Sequence, residues 1–401
     1  MSEGGHGEGP APALATRLTQ AGRRSEWTHG IVNPPVYHAS TCTFETLEEF
    51  DWARANPDDG LYYGRRGTPT TWALEEALTE IEPGAAGTKL FPSGLAAIAT
   101  AFLAVVKPGD HVLIADSVYE PTRALAGGLL KRIGAEPQFY DPTIGQDIAD
   151  LVRDETTCVY VESPGSLTFE VQDVKTIAAA AHSVDAVVIA DNTWATSLLF
   201  QPIEQGVDLV VQSLSKFVVG HSDAMLGSLT ANQRLLPRMK AGTYRLGQVA
   251  APDDAYLGLR GLRTLGPRMQ RHGKNAIAVG SALAEHPAVA RVLCPALPGD
   301  PGHGLWERDF SGASSLFTLM LDGGKRENLA VLIDGLSHYS IGFSFGGYES
   351  LVLPVDPAPL RTATRFEATG PMLRVHVGLE DPDDLIADLS AGLDRYRRAA
   401  R

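Results

Sequence analysis

Lys216 has the most chemistry to explain. It lies in DLVVQSLSKFVVGHSDAMLG, residues 208–227, where an apolar run gives way to Ser213, Ser215 and Lys216. An ammonium is strongly hydrated, so a lysine at the end of a core strand is either a snorkelling edge residue or an amine in covalent use. Burial disfavours the charged form, and a neutral amine condenses with an aldehyde. HVLIADSVYE brings Tyr119 to the end of another apolar run, and AVVIADNTW does the same for Asp191 and Asn192. PSGLAAI opens a helical pattern whose first N–H groups, at Gly94 and Leu95, make an anion site.

The elements that must position these residues alternate. Residues 93–106 are helical, with Leu95, Ile98, Phe102 and Val105 expected on one face. HVLIAD (111–116), CVYVES (158–163), AVVIAD (186–191) and DLVVQS (208–213) are short, apolar and rich in β-branched residues. Helical stretches fall between them: 120–134, ending at Gly134, then about 173–182 and 196–205. That alternation predicts an α/β fold with a mostly parallel sheet covered on both faces. Residues 17–65 show little periodicity and predict an extended arm. The chain turns irregular between about 240 and 265, and a second, smaller α/β region follows. It closes with MLRVHV as a strand and a helix capped by Asp381, with Pro382 at its first position and Leu385, Leu389 and Leu393 inward. The expected division is an arm over 1–66, a first domain over 67–262 and a C-terminal domain over 263–401.

Composition sets limits on the partners. The 401 residues are 44% hydrophobic and 20% charged, with a formal net charge of −14. This balance argues against general binding to nucleic acid or to an anionic membrane surface. Cys42, Cys158 and Cys294 are too far apart for a metal or CxxC spacing, so no metal is expected, and an odd, sparse count suits a reducing compartment. Residues 1–17 are rich in Gly and Pro, lack the pattern of a secretory leader and are expected to be disordered. With no uninterrupted apolar stretch of membrane-spanning length, the expectation is a cytoplasmic protein.

In open parallel sheets, ligands gather beyond the carboxyl ends of the strands. Asp191 alone fits a helix cap, Tyr119 alone fits packing, and Lys216 alone fits an edge. On strand ends of one α/β unit, in this order, they describe a pocket for pyridoxal 5'-phosphate. It has an amine for the aldehyde, a carboxylate for the ring nitrogen, an aromatic ring to stack, and hydroxyls with a helix start for the phosphate.

The sequence resembles the Cys/Met-metabolism family of fold-type I pyridoxal phosphate enzymes, and within it the β-lyase branch. The matching stretches are YYGRRGTPT, LFPSGLAAI, DSVYEPTR, VESPGSLTFEVQDV, IADNTWAT, SLSKFVVGHSDAMLG, LGLRGLRTLG, PALPGDPGH, GGYESL and LRVHVGLEDPDDLIADL. The resemblance implies that Lys216 forms the Schiff base, Asp191 partners the pyridinium and Tyr119 stacks on the ring. Ser213, Ser215, Gly94 and Leu95 would hold the phosphate. Tyr63 and Arg65 would serve the cofactor of a neighbouring subunit, in a homo-oligomer built as a dimer of dimers. Arg374 would bind the substrate α-carboxylate, with Ser344 and Tyr244 nearby. The implied reaction is β-elimination of L-cystathionine to homocysteine, pyruvate and ammonia, within transsulfuration and methionine biosynthesis. ESPGS and FSFGGYES carry that branch assignment, and Phe345 departs from the tryptophan often found there. The alternatives are cysteine or cystine desulfhydrase chemistry, a cystathionine γ-lyase or γ-synthase, and a regulatory protein that retains the fold.

Overall fold

The computed structural model describes residues 12–400. A seven-stranded sheet is built from β1 (Ala85–Phe91), β2 (His111–Ala115), β3 (Glu136–Tyr140), β4 (Thr156–Glu162), β5 (Val187–Asp191), β6 (Leu209–Gln212) and β7 (Gly227–Asn232), in the order β1-β7-β6-β5-β4-β2-β3. The pairings β2–β3, β2–β4, β4–β5 and β5–β6 are parallel, and β7 runs antiparallel to both β6 and β1. All five residues of β2 and all four of β6 are buried, as strands covered on both faces must be. A second sheet joins β8 (Val289–Leu293), β9 (Leu316–Leu321), β10 (Tyr339–Ile341), β11 (Ser350–Val355) and β12 (Met372–His376), in the order β10-β11-β12-β9-β8.

Strands β1, β3 and β7 do not stand out in the sequence, for physical reasons. β1 and β7 carry polar residues that are satisfied only across space. Thr88 and Thr230 share a hydroxyl–hydroxyl bond of 2.8 Å, and Lys89 pairs with Glu75 of helix Pro69–Ile81 at 2.9 Å. β3 is an edge strand with alternating exposure and a proline, so its apolar signal is thin.

Four expectations are corrected. Residues 17–65 are not uniformly extended: Leu14–Gln20, Ser25–Thr28 and Leu47–Ala55 are helical, and Leu18 is buried. The disorder expected over 1–17 lies outside the described residues up to 11, while 14–17 are helical. The stretch 240–265 is not irregular: it holds most of helix Leu236–Leu246 and all of helix Pro252–Leu262, each with a proline among its first two residues. Conversely, 196–205 is only a four-residue helix and a 3-10 turn.

Helix Leu265–Ala284 spans two apolar clusters. Leu265 and Met269 pack with Leu74, Leu78 and Leu259, whereas Ala276, Val279 and Leu283 pack with Phe317, Leu389 and Leu393. A boundary near 262 thus precedes a helix that belongs to both sides. Among the described residues, no helix is long and apolar enough to cross a membrane.

The same helix supports the loop after β6. Arg268, 8% exposed, donates to the carbonyls of Phe217 (2.6 Å), Val218 (3.2 Å) and Gly261 (2.7 Å). Methionine there fills similar space but leaves the carbonyls of Phe217 and Val218 without a donor, while Gly261 O keeps the N–H of Thr264 at 3.1 Å. Arg268→Met is expected to destabilise the fold by roughly 3 kcal/mol, seen as a lower denaturant midpoint. A midpoint equal to that of the unmodified protein contradicts this account of the loop.

Candidate active site

Lys216 follows β6, and burial lowers its amine to about 8, aided by the nearby Arg374 charge and opposed by Asp191. The amine donates to Ser344 Oγ at 2.5 Å and stands 5.2 Å from the Phe345 ring centroid. Ser344 has φ +87°, a left-handed value that costs a non-glycine residue on the order of 1–3 kcal/mol. Its neighbour Gly346 permits that loop to close. A Cβ on Gly346 would lie 2.7 Å from Phe217 N and 2.8 Å from Lys216 C, too close for any side chain.

Arg374 sits on β12 between Leu353 and Thr318 of the adjoining strands. Its guanidinium donates to Ser344 O at 2.9 Å, and burial lowers its pKa to about 10. One residue, Ser344, therefore orients both the amine and the guanidinium. A planar fork fixed in this way matches a carboxylate in two-point contact.

Asp191 ends β5, in register with Glu162 at the end of β4. Its Oδ1 accepts from Thr193 N at 2.9 Å, but Oδ2 has only a long 3.5 Å contact from the Tyr160 hydroxyl. Burial pushes this carboxyl up in spite of Thr193's donors. Glu162 is driven up more strongly, by burial and then by Asp191. Such a carboxylate is short of one strong donor, which a protonated ring nitrogen would supply. Tyr119 caps helix Glu120–Leu125, and its N–H is held by Glu162 Oε2 at 2.8 Å. At 47% exposed, it offers a ring free to stack.

Helix Gly94–Val105 begins beside the loop after β6. Ser93 caps it by accepting from Ala96 N at 3.1 Å, which leaves the N–H groups of Gly94 and Leu95 outside the intrahelical ladder. A Cβ on Gly94 would stand 2.7 Å from Ser213 Cβ, so glycine brings the Ser213 side chain against the helix start. Leu95, grouped with the inward face in the sequence reading, is 40% exposed, while Ile98, Phe102 and Val105 are buried. Ser215 faces another way: its hydroxyl donates to Leu226 O at 3.1 Å and accepts from Leu226 N at 2.8 Å.

Lys216, Asp191, Tyr119, Arg374, Ser344 and the Gly94–Ser213 corner are thus brought to one end of the large sheet. The other three predicted residues group elsewhere. Arg65 donates to Tyr244 O at 3.2 Å, the Tyr244 hydroxyl donates to Asp58 at 2.7 Å, and Tyr63 forms a bridge with Thr41. Among the described residues, none of the hydrogen bonds of these three reaches Lys216, Asp191 or Arg374 of the same chain. The separation arises because they lie on the arm and on helix Leu236–Leu246, facing each other. Glu162, Tyr160 and Thr193 are the additions. The strand-end rule that selects Asp191 selects Glu162 as well, whereas Tyr160 and Thr193 had no distinguishing sequence signal.

The donors present fit pyridoxal phosphate: an amine of lowered basicity, a half-buried carboxylate with an open oxygen, a free aromatic face and a helix start joined by a serine. A family model described as Cys/Met metabolism PLP-dependent enzyme matches residues 15–394. The chain is 44% identical to cystathionine beta-lyase MetC of Escherichia coli (strain K12) over 389 residues, 95% of this chain and 98% of that one. It is 43% identical to cystathionine beta-lyase of Salmonella typhimurium (strain LT2), with the same coverage. A solved structure of cystathionine gamma synthase from Xanthomonas oryzae pv. oryzae, in complex with aminoacrylate and cysteine, superposes with a TM-score of 0.88. The sequences are 31% identical, and the match covers 97% of this chain and 100% of that chain.

The lowered basicity is measurable without any ligand. In the cofactor-free protein, the rate at which an amine-specific acylating reagent modifies Lys216 is expected to rise through a midpoint near pH 8. Peptide mass spectrometry across pH gives the curve, and a midpoint above 10 shows that burial is not felt at this amine.

Proposed function

We infer that this chain, which belongs to the Cys/Met-metabolism family of pyridoxal phosphate-dependent enzymes, works within it as a carbon–sulfur β-lyase splitting L-cystathionine into homocysteine, pyruvate and ammonia. The observation that carries the reading is the shared hold of Ser344 on the Lys216 amine and the Arg374 guanidinium. It places a base and a carboxylate clamp in fixed relation, as proton removal next to a carboxylate requires.

Bound pyridoxal phosphate supplies the electron sink for the pair left at Cα. Gly94 N, Leu95 N and Ser213 Oγ would hold its phosphate, Asp191 would keep its ring nitrogen protonated, and Tyr119 would cover its face. Ser215 joins the phosphate site only by leaving its bonds to the Leu226 backbone. Arg374 takes the substrate carboxylate. Lys216, lowered to about 8 by burial, has an appreciable neutral fraction near neutral pH and takes the Cα proton onto Nζ. The Cβ–S bond then breaks, and its electron pair leaves with sulfur as the thiolate. Lys216 Nζ or the Tyr119 hydroxyl returns a proton to it. Water completes the release of pyruvate and ammonia from the three-carbon fragment.

β-Elimination needs one carbanion, at Cα, with sulfur on the next carbon, whereas γ-elimination needs a further proton transfer at Cβ. The similarity to β-lyases across nearly the whole chain supports the shorter route. Phe345, lying over the amine where an indole N–H would otherwise be offered, sets a less polar wall for the substrate. Tyr63, Arg65 and Tyr244 form a group away from Lys216, and in the proposed dimer they serve the neighbouring subunit's phosphate and substrate.

Incubating the purified holoenzyme with L-cystathionine is expected to give pyruvate and homocysteine, and mass spectrometry of the products decides it. A majority of 2-oxobutyrate overturns the β-lyase reading and leaves the cofactor site standing. Lys216→Ala should reduce turnover by roughly 10³-fold or more, since one amine both anchors and moves protons. Mixing Arg65→Ala chains with Lys216→Ala chains, each nearly inactive, should restore part of the activity, because one site of each hybrid dimer keeps both residues. Proven subunit exchange with no recovery shows that the arm serves its own chain.

A further inference from the structure

Asp116 lies one residue beyond β2 and three before Tyr119, and is 1% exposed. Its carboxylate gathers donors from a distant part of the chain. Oδ2 accepts from the N–H groups of Thr362 (3.0 Å), Ala363 (2.9 Å) and Thr364 (3.0 Å), and from the Thr364 hydroxyl (3.1 Å). Oδ1 accepts from Thr362 Oγ at 3.1 Å and pairs with Arg123. Burial alone would push this carboxyl up, but the N–H donors and Arg123 outweigh it and hold it below the usual range. The anchor is doubled nearby. Arg361 donates to Glu170 at 2.7 Å and to Thr168, in the loop after β4.

These contacts join three pieces. Ser166 N donates to Ser117 O at 2.7 Å and Glu162 holds Tyr119 N, so the loops after β2 and β4 form one hydrogen-bonded block. Segment 361–364 is tied to that block and leads, eight residues after Thr364, into β12 with Arg374. Tyr119 stands beyond one sheet and Arg374 on the other, yet close enough for the Arg374 charge to act on the Tyr119 hydroxyl. Their relative placement depends on what fastens the small sheet to the large one, and Asp116 is the most heavily bonded of these fasteners.

We propose that Asp116 is a positioning residue for substrate binding: it fastens segment 362–364 to the strand end that carries Tyr119 and so sets where Arg374 stands relative to that ring. The proposal rests on Arg374 as the clamp for the α-carboxylate. A carboxylate is needed because every group it meets is a donor. Asparagine would turn an N–H toward the N–H groups of 362–364.

The test uses the full-length holoenzyme and its Asp116→Asn variant. Glycine, which has an α-carboxylate, and methylamine, which lacks one, are titrated through the cofactor absorbance. Hydrogen exchange of the 362–364 amides is followed by mass spectrometry. Because hydrogen bonds to a charged group are lost, exchange should speed up and glycine affinity should fall by roughly tenfold or more, with methylamine affinity changed by less than about twofold. Equal weakening of both ligands, unchanged glycine affinity or retained protection overturns the proposal. Arg374→Ala separates the two readings. If it leaves glycine binding intact, the clamp reading falls and the proposal with it; if it abolishes glycine binding while Asp116→Asn does not weaken it, only the role of Asp116 falls. Should Asp116→Asn fail to fold, Thr362→Ala/Thr364→Ala removes two donors and leaves the carboxylate, and the same two measurements decide.

Discussion

The placement of one amine in a half-buried corner governs the site. Water stabilises an ammonium far better than a protein interior does, so enclosing Lys216 shifts it toward the neutral form. That shift has to be held by the fold, and the holding elements come from both sheets. The loop after β6 supplies the amine, the 344–347 loop supplies its hydroxyl partner, and Arg374 on β12 adds a like charge that lowers the amine further. The backbone strain at Ser344 and the close approach at Gly346 are costs of bringing those loops together. They persist because the two cores behind them are closely packed.

The carboxylates divide by what surrounds them. Asp191 and Glu162 end adjacent strands, half-buried and short of donors, so their charged forms are disfavoured until a cation arrives. Asp116, buried at 1% exposed, is surrounded by N–H groups and an arginine, and stays anionic. The same residue type is thus short of donors at one strand end and saturated with them at another. The difference lies entirely in the donors that distant parts of the chain deliver.

The arm obeys a different constraint. Arg65 is tied to the Tyr244 carbonyl, Tyr244 to the Asp58 carboxylate and Tyr63 to Thr41, rather than to Lys216. Asp58 also accepts from Arg66 at 3.1 Å and Lys240 at 3.2 Å, which fixes the arm to helix Leu236–Leu246.

The sequence by itself determined the parallel strands β2, β4, β5 and β6, because strands buried on both faces must be continuously apolar and β-branched. With them it determined the strand-end positions of Tyr119, Asp191 and Lys216, since ligands collect where such strands end. The glycine and serine of the helix start were legible for the same local reason. Strands β1 and β7 were not, because their threonines and lysine are compatible with burial only once Thr88 meets Thr230 and Lys89 meets Glu75. The helices over 236–262 were hidden by their polar faces and small residues. Tertiary structure alone decided that Ser344 would hold both Lys216 and Arg374, that Ser215 would turn to the Leu226 backbone, and that Asp116 would receive segment 362–364. Each of these pairs residues 11 to 248 positions apart, and no local propensity encodes a partner that only folding brings within hydrogen-bonding reach.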